Sequence, residues 1–136
     1  MKQKIIAGLA LLLTVTACSK KEEAAGINKG IGPVKSVTLA PLDSSKASQG
    51  QQLFQAKCSA CHKIDEKYIG PALKGVTKRR APEWVMNMIL NPAEMTQKDP
   101  VAKDLLATHF TQMTFQNMTE DEARSILEFF RQNDAQ

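Results

Sequence analysis

Aromatic residues are scarce in this sequence, which has one Trp, one Tyr and five Phe in 136 residues. A chain of that length builds one domain with one modest core. With so few large rings, that core is thin unless something other than side chains helps to fill it. An excess of charge of one sign is also lacking. The chain carries 18 Lys+Arg against 14 Asp+Glu, and removal of the first 17 residues, which hold Lys2 and Lys4, leaves 16 against 14. A balance so mild and interspersed excludes a nucleic-acid binder, which needs cations clustered along one face. The apolar run from Ile5 to Leu13 is too short to cross a bilayer, because a spanning helix needs about 20 residues for roughly 30 Å of hydrocarbon. No convincing alternation of apolar and polar residues marks a strand. The class is therefore all-α.

What is present begins with a targeting signal. Met1-Lys-Gln-Lys4, the apolar run and the small residues before Cys18 have the layout of a bacterial export signal over residues 1–17. Val15-Thr-Ala-Cys18 resembles the lipobox of bacterial lipoproteins. The resemblance implies that Cys18 becomes the first residue after cleavage and carries several acyl chains, which anchor stably where one alone is marginal. Ser19 after the cysteine implies the outer membrane by the sorting rule of those lipoproteins, and Ser19-Lys-Lys-Glu-Glu23 is similar to a surface-export tag. The expected location is the bacterial cell envelope, lipid-anchored, at the periplasmic face or the outer membrane. Residues 18–46, punctuated by Gly26, Gly30, Gly32, Pro33 and Pro41, read as a lipidated N-terminus and flexible tether with a reach of roughly 30 Å. Within it, Val34, Val37, Leu39 and Leu42 are apolar enough for the last third to lie against the folded domain, which is expected over 47–136.

Helical signals follow. Ser48-Gln-Gly-Gln51 has a capping-box pattern, with Leu53 and Phe54 behind it, and predicts a first helix over 48–60. Pro82 opens a second helix that runs to Leu90 and stops at Asn91-Pro92, since proline suits a first turn and ends a preceding helix. A third follows Asp99-Pro100, with Val101, Leu105 and Leu106 on one face. The last opens at Thr119-Glu-Asp-Glu122 and carries Ala123, Ile126, Leu127 and Phe130 at helical spacing. Residues 62–81 and 109–119 read as loops.

The chemistry lies in Cys58-Ser-Ala-Cys61-His62, a spacing that reads as covalent attachment of c-type haem. Two thiols one helical turn apart reach the two vinyl groups of the porphyrin, and the adjacent histidine is then held under the iron as its proximal ligand. A thioredoxin-like thiol pair would need a βαβ setting. A zinc site would need both His62 and His109 beside the thiols, at an unusual spacing.

At this point the sequence from Ser48 to Asn133 resembles a class I c-type cytochrome. The matching pieces are Gly50-Gln-Gln-Leu-Phe54 leading into the haem motif, Ile69-Gly-Pro-Ala-Leu73 after it, the Asn91-Pro92 stop, and Met113-Thr-Phe115 before the final helix. The resemblance implies three to five helices wrapped around one covalently bound haem. It implies that Gly50 lets the first helix approach an aromatic residue of the last, Phe129 or Phe130, and that the Pro71 carbonyl accepts from Nδ1 of His62 and fixes its tautomer. Arg79, Arg80 and Trp84 are candidate partners for the haem propionates, because buried carboxylates need donors or cations.

For the sixth iron ligand the candidates are Met86, Met88, Met95, His109, Met113 and Met118. Met86 and Met88 fall inside a helix, where methionine is a core filler, and Met118 precedes a helix cap, where it acts as a staple. Met113 is expected to ligate, placed as the family's ligand methionine is, with His109 the rival. Thr114 stands where the family commonly has proline, which leaves the loop less rigid. With both axial positions filled, the expected function is a one-electron carrier of a bacterial respiratory chain, monomeric and not an enzyme. A haem-based gas sensor or a peroxidase-like domain would instead need an open sixth position. Lys57, Lys63, Lys67, Lys74, Lys78, Arg79 and Arg80 cluster around the attachment site and would steer an acidic redox partner. A terminal oxidase, a nitrogen-oxide reductase or a peroxidase would each suit as that partner. The Gly30–Leu39 stretch is similar in look to cytochromes of respiratory clusters, nitrous oxide reduction among them.

Overall fold

The computed structural model describes residues 27–136. The signal segment 1–17, Cys18 and the Ser19–Glu23 tag lie outside the described residues. Among the described residues there are six helices, one more than the three to five expected: α1 (Ser44–Lys57), α2 (Val76–Arg79), α3 (Pro82–Leu90), α4 (Pro92–Lys98), α5 (Pro100–His109) and α6 (Glu120–Asp134). No strand occurs among the described residues, as the missing alternation predicts, and none of the described helices is long and apolar enough to cross a membrane.

The two long helices, α1 and α6, pack on each other across the domain. Gly50 makes that packing possible. A Cβ there would overlap the backbone carbonyl of Ser125, so only glycine lets the two backbones come this close. Gly50 itself meets the Ser125 backbone, and α1 reaches the aromatic residues of α6 through Phe54, whose centroid lies 5.5 Å from Phe129 and 5.9 Å from Phe130, within the range of favourable aromatic pairs. Ala123, Ile126 and Leu127 are fully buried beside them, which is the stripe the spacing in α6 predicts.

The first helix starts a turn earlier than expected. Asp43, not Ser48, caps it, accepting from the Lys46 N–H at 3.0 Å. The box at Thr119 forms in full, Glu122 N–H to Thr119 Oγ1 at 3.2 Å and Thr119 N–H to Glu122 Oε2 at 2.8 Å. The two additional helices have separate causes. Asn91 ends α3 and at once starts α4, because Pro92 suits the first position of a new helix as well as it stops an old one. The short α2 is capped from afar, since the Asp134 carboxylate accepts from the N–H groups of Gly75 and Thr77 and from the Thr77 hydroxyl.

Of the stretch 18–46 read as a tether, the part from Asn28 on is folded against the domain, so docking begins well before Val34. The Asn87 carboxamide grips this strap, accepting from Val34 N–H and donating to the carbonyls of Val34 and Lys29, each at 2.9 Å. Val37 N–H and Lys29 both bind Glu83, and Ile31 N–H meets the Met95 sulfur at 3.0 Å. Val34 is buried and Val37 partly so, while Leu39 and Leu42 stay exposed.

Candidate functional site

The end of α1 delivers the reactive residues. Cys58 is the C-cap of that helix, and the chain winds on for another turn, with Cys61 N–H and His62 N–H both donating to the Cys58 carbonyl at 3.0 and 2.9 Å. That turn brings both thiols and the imidazole to one cavity of about 230 Å³. Leu73, Val76, Val85, Met88, Ile89, Leu105, Leu106 and Ile126 give it a mainly apolar wall.

His62 is held in one orientation. Its Nδ1 lies 3.3 Å from the Pro71 carbonyl. A carbonyl only accepts, so the proton belongs on Nδ1 and Nε2 keeps its lone pair. A Cβ on Gly70 would overlap the His62 ring, with Nδ1 only 2.7 Å away, so this glycine leaves the space that the ring occupies. Burial lowers the His62 pKa below its usual value against the pull of the Pro71 bond, and nearby His109 pushes it the same way. The shift favours the neutral ring, the form in which an imidazole binds a metal.

The thiols argue against a redox-active thiol pair. Burial pushes the Cys58 pKa up to about 11, Lys57 lowers it only partly, and Cys61 raises it further. A catalytic pair of this spacing has a lowered value instead. Nor do three His, Cys, Asp or Glu side chains gather into a metal site anywhere among the described residues, as a zinc centre would require.

Met113 and His109 both line the cavity, whereas Met86, Met95 and Met118 are buried in the protein core and do not. Met88 also reaches it, from within α3. The expected propionate partners behave differently from one another. The Trp84 N–H is committed to Asp99 Oδ1 at 3.1 Å, so the tryptophan contributes ring surface and not a donor. Trp84 nevertheless lines the cavity. The Arg80 guanidinium lies 5.4 Å over the Trp84 ring and donates to the Arg79 carbonyl. Arg79 donates to the carbonyls of Lys74 and Ala72. Both arginines line the cavity.

These residues fit a covalently held haem. Two thiols one turn apart open on an apolar space, a glycine makes room for an oriented imidazole, and a thioether and a second imidazole share the same walls. A family model for cytochrome c matches residues 47–134, more than half of the chain.

The chain belongs to the cytochrome c family.

Among solved structures, a cytochrome c from Rhodothermus marinus is 50% identical, covers 76% of this chain and 90% of its own, and superposes with a TM-score of 0.75. The cytochrome c domain of a Pseudomonas putida protein is 28% identical, with 64% and 89% covered and a TM-score of 0.59. Cytochrome c-551 of Stutzerimonas stutzeri is 50% identical over 41 residues, or 29% of this chain and 39% of that one. A cytochrome c-553-like protein of Synechocystis is 39% identical over 46 residues, 33% and 44% of the two chains. The matches thus span less than half the length of these curated relatives. The described residues, helical and without strands, have the class I cytochrome c fold, and the cofactor is covalent haem c, for which Cys58 and Cys61 supply the thiols.

Three residues of this cytochrome c site were not singled out by sequence reasoning. Gly70 makes room for the His62 ring, and its only signal is the Gly-Pro pair. Asp99 orients Trp84 while accepting from Asn28 and Ala102. Asn87 holds the strap behind Trp84. Asn87 has no local signal, because its partners are far away in the chain, and at Asp99 the local signal is only that of a helix cap, since Trp84 and Asn28 reach it from elsewhere.

Proposed function

We propose that this chain is a lipid-anchored monohaem cytochrome that carries single electrons in a bacterial respiratory chain. The observation that carries the reading is the joint presence of His62, oriented by the Pro71 carbonyl, and Met113 on the walls of one apolar cavity. Haem c supplies a one-electron iron couple. The chain's own residues do the rest. Cys58 and Cys61 hold the group in place, the Pro71 carbonyl and Gly70 fix the His62 ring, and the apolar wall keeps water away. A thioether in the sixth position raises the potential, which suits a carrier.

The surface supports partner docking. Lys57, Arg79 and Arg80 lie at the cavity, and Tyr68, Ile69, Phe110 and Phe115 are exposed apolar groups. Part of the positive charge is used within the domain: Lys74 pairs with Asp65 at 2.9 Å and Lys57 with Glu122 at 3.6 Å. The remainder supports steering of an acidic redox protein, a terminal oxidase or nitrogen-oxide reductase among them. The anchor rests on Val15-Thr-Ala-Cys18, in the bacterial envelope at the periplasmic face or outer membrane.

Acid-acetone treatment tests the attachment: the haem stays with the chain, whereas release into the solvent overturns it. Ferrous wild-type protein is expected to bind carbon monoxide slowly, and rapid binding at neutral pH would favour a gas sensor. Wild-type protein should need detergent for extraction and Cys18→Ser should lose lipid labelling.

A further inference from the structure

Among the described residues, one buried side-chain polar atom has no hydrogen-bond partner: Nδ1 of His109. Such an atom carries the full cost of losing water with nothing in return. It belongs to a residue of the cavity wall, which His62 and Met113 also line.

The supports of His109 and Met113 differ. His109 is the last residue of α5, a helix pinned at its start by Asp99, which accepts from the Ala102 N–H at 2.9 Å. Met113 stands beyond Phe110, an exposed residue with φ 54. The side-chain hydrogen bonds of its segment are mostly local, Gln112 to the Met113 carbonyl and Gln116 to Thr114. The tie to the rest of the domain is Thr96 Oγ1 to Gln112 Oε1 at 3.0 Å. A segment held this way opens at lower cost than a helix end.

We propose that His109 is a reserve ligand: when Met113 leaves the iron, the His109 imidazole takes the sixth position and keeps the centre closed to small molecules. This rests on the reading of Met113 as the resident sixth ligand. Imidazole binds haem iron well, and exchange of thioether for imidazole lowers the potential. Loss of the methionine then turns a high-potential carrier into a low-potential one and not into an open, ligand-binding centre.

The experiment compares holoprotein of the wild type, Met113→Ala, His109→Ala and the double variant. The near-infrared sulfur-to-iron band tests the underlying reading: it is present in the wild type and in His109→Ala and lost in Met113→Ala. A wild type without the band, or Met113→Ala with it, refutes Met113 as ligand. Given that loss, ferric Met113→Ala is expected to stay low-spin with a bis-imidazole electron paramagnetic resonance signal and to bind carbon monoxide slowly when reduced. The double variant becomes high-spin and binds carbon monoxide rapidly. Should the double variant not retain haem, Met113→Ala with His109→Gln replaces it. A high-spin Met113→Ala protein that binds carbon monoxide as fast as the double variant overturns the proposal, and so does a double variant that remains low-spin. In the former case the orphaned nitrogen serves another acceptor, such as a haem carboxylate.

Discussion

The crossing of α1 and α6 and the segment between α5 and α6 are fixed by different means. At the crossing, two backbones touch at Gly50 and Ser125, three phenyl rings interlock within 6 Å or so of one another, and Ile126 and Leu127 are fully buried. Between the helices, Thr111, Gln112, Thr114, Phe115, Gln116 and Asn117 are all exposed, and two non-glycine residues, Phe110 and Asn117, have positive φ. Close packing makes the first region respond to a single added methyl. The second is held mainly by hydrogen bonds within itself and tolerates change. The proximal residues, Cys58, Cys61 and His62, follow directly on α1 and share its rigidity. Met113 belongs to the soft segment. Stability and sixth-position ligation should therefore be separable by mutation.

The largest effect is expected at the crossing. Gly50→Ala places a methyl on the Ser125 carbonyl, and since backbone faces backbone neither side can swing away. A loss of about 3 kcal/mol is expected, read as a lower denaturant midpoint at unchanged slope. An unchanged midpoint would mean the helices are not held as closely as described. Asp134 ties α6 to α2. Asp134→Ala removes three hydrogen bonds to one carboxylate and should cost about 2 kcal/mol, with the near-infrared band of the folded protein retained.

The pH dependence carries the same information. Burial raises the carboxyl pKa of Asp99 and of Asp134, but hydrogen bonds outweigh it and hold both below the usual 3.8. At Asp99 these come from Ala102, Asn28 and Trp84, and at Asp134 from Thr77 and Gly75. A lowered folded value means the carboxylate is favoured by folding. Its contribution is complete above 3.8 and is lost as pH falls through the lower folded value. Acid unfolding should accordingly begin below that point, and Asp134→Asn should flatten the acid limb.

The smallest effect is expected in the soft segment. Phe110 is 89% exposed and closes α5 in the left-handed conformation at φ 54, where glycine is free of strain. Phe110→Gly should gain roughly 0.5 kcal/mol, measured by the thermal midpoint. A loss comparable to that of Gly50→Ala would show that the two regions are coupled after all.

Much of this was legible without coordinates because it is local. Cys58, Cys61 and His62 fall within five consecutive positions, and the spacing of thiols and imidazole is itself the chemistry. The Thr119 box and the stripe of α6 lie within a few turns, so residue identity alone specifies them. Other features depend on residues distant in sequence. Helix α2 exists because Asp134 reaches back to Gly75 and Thr77. Trp84 turns its N–H to Asp99 because Asn28 and α5 assemble that carboxylate's surroundings. The strap docks because Asn87 satisfies both groups of Val34. Sequence decided which groups can bind haem and which segments coil, since spacing and capping act over one or two turns. Only the tertiary structure decided that Met113 and His109 come to one cavity and that His109 ends α5 instead of opening the loop that holds Met113. Those positions follow from how distant elements pack, and packing is set by burial and by partners that no short stretch of sequence contains.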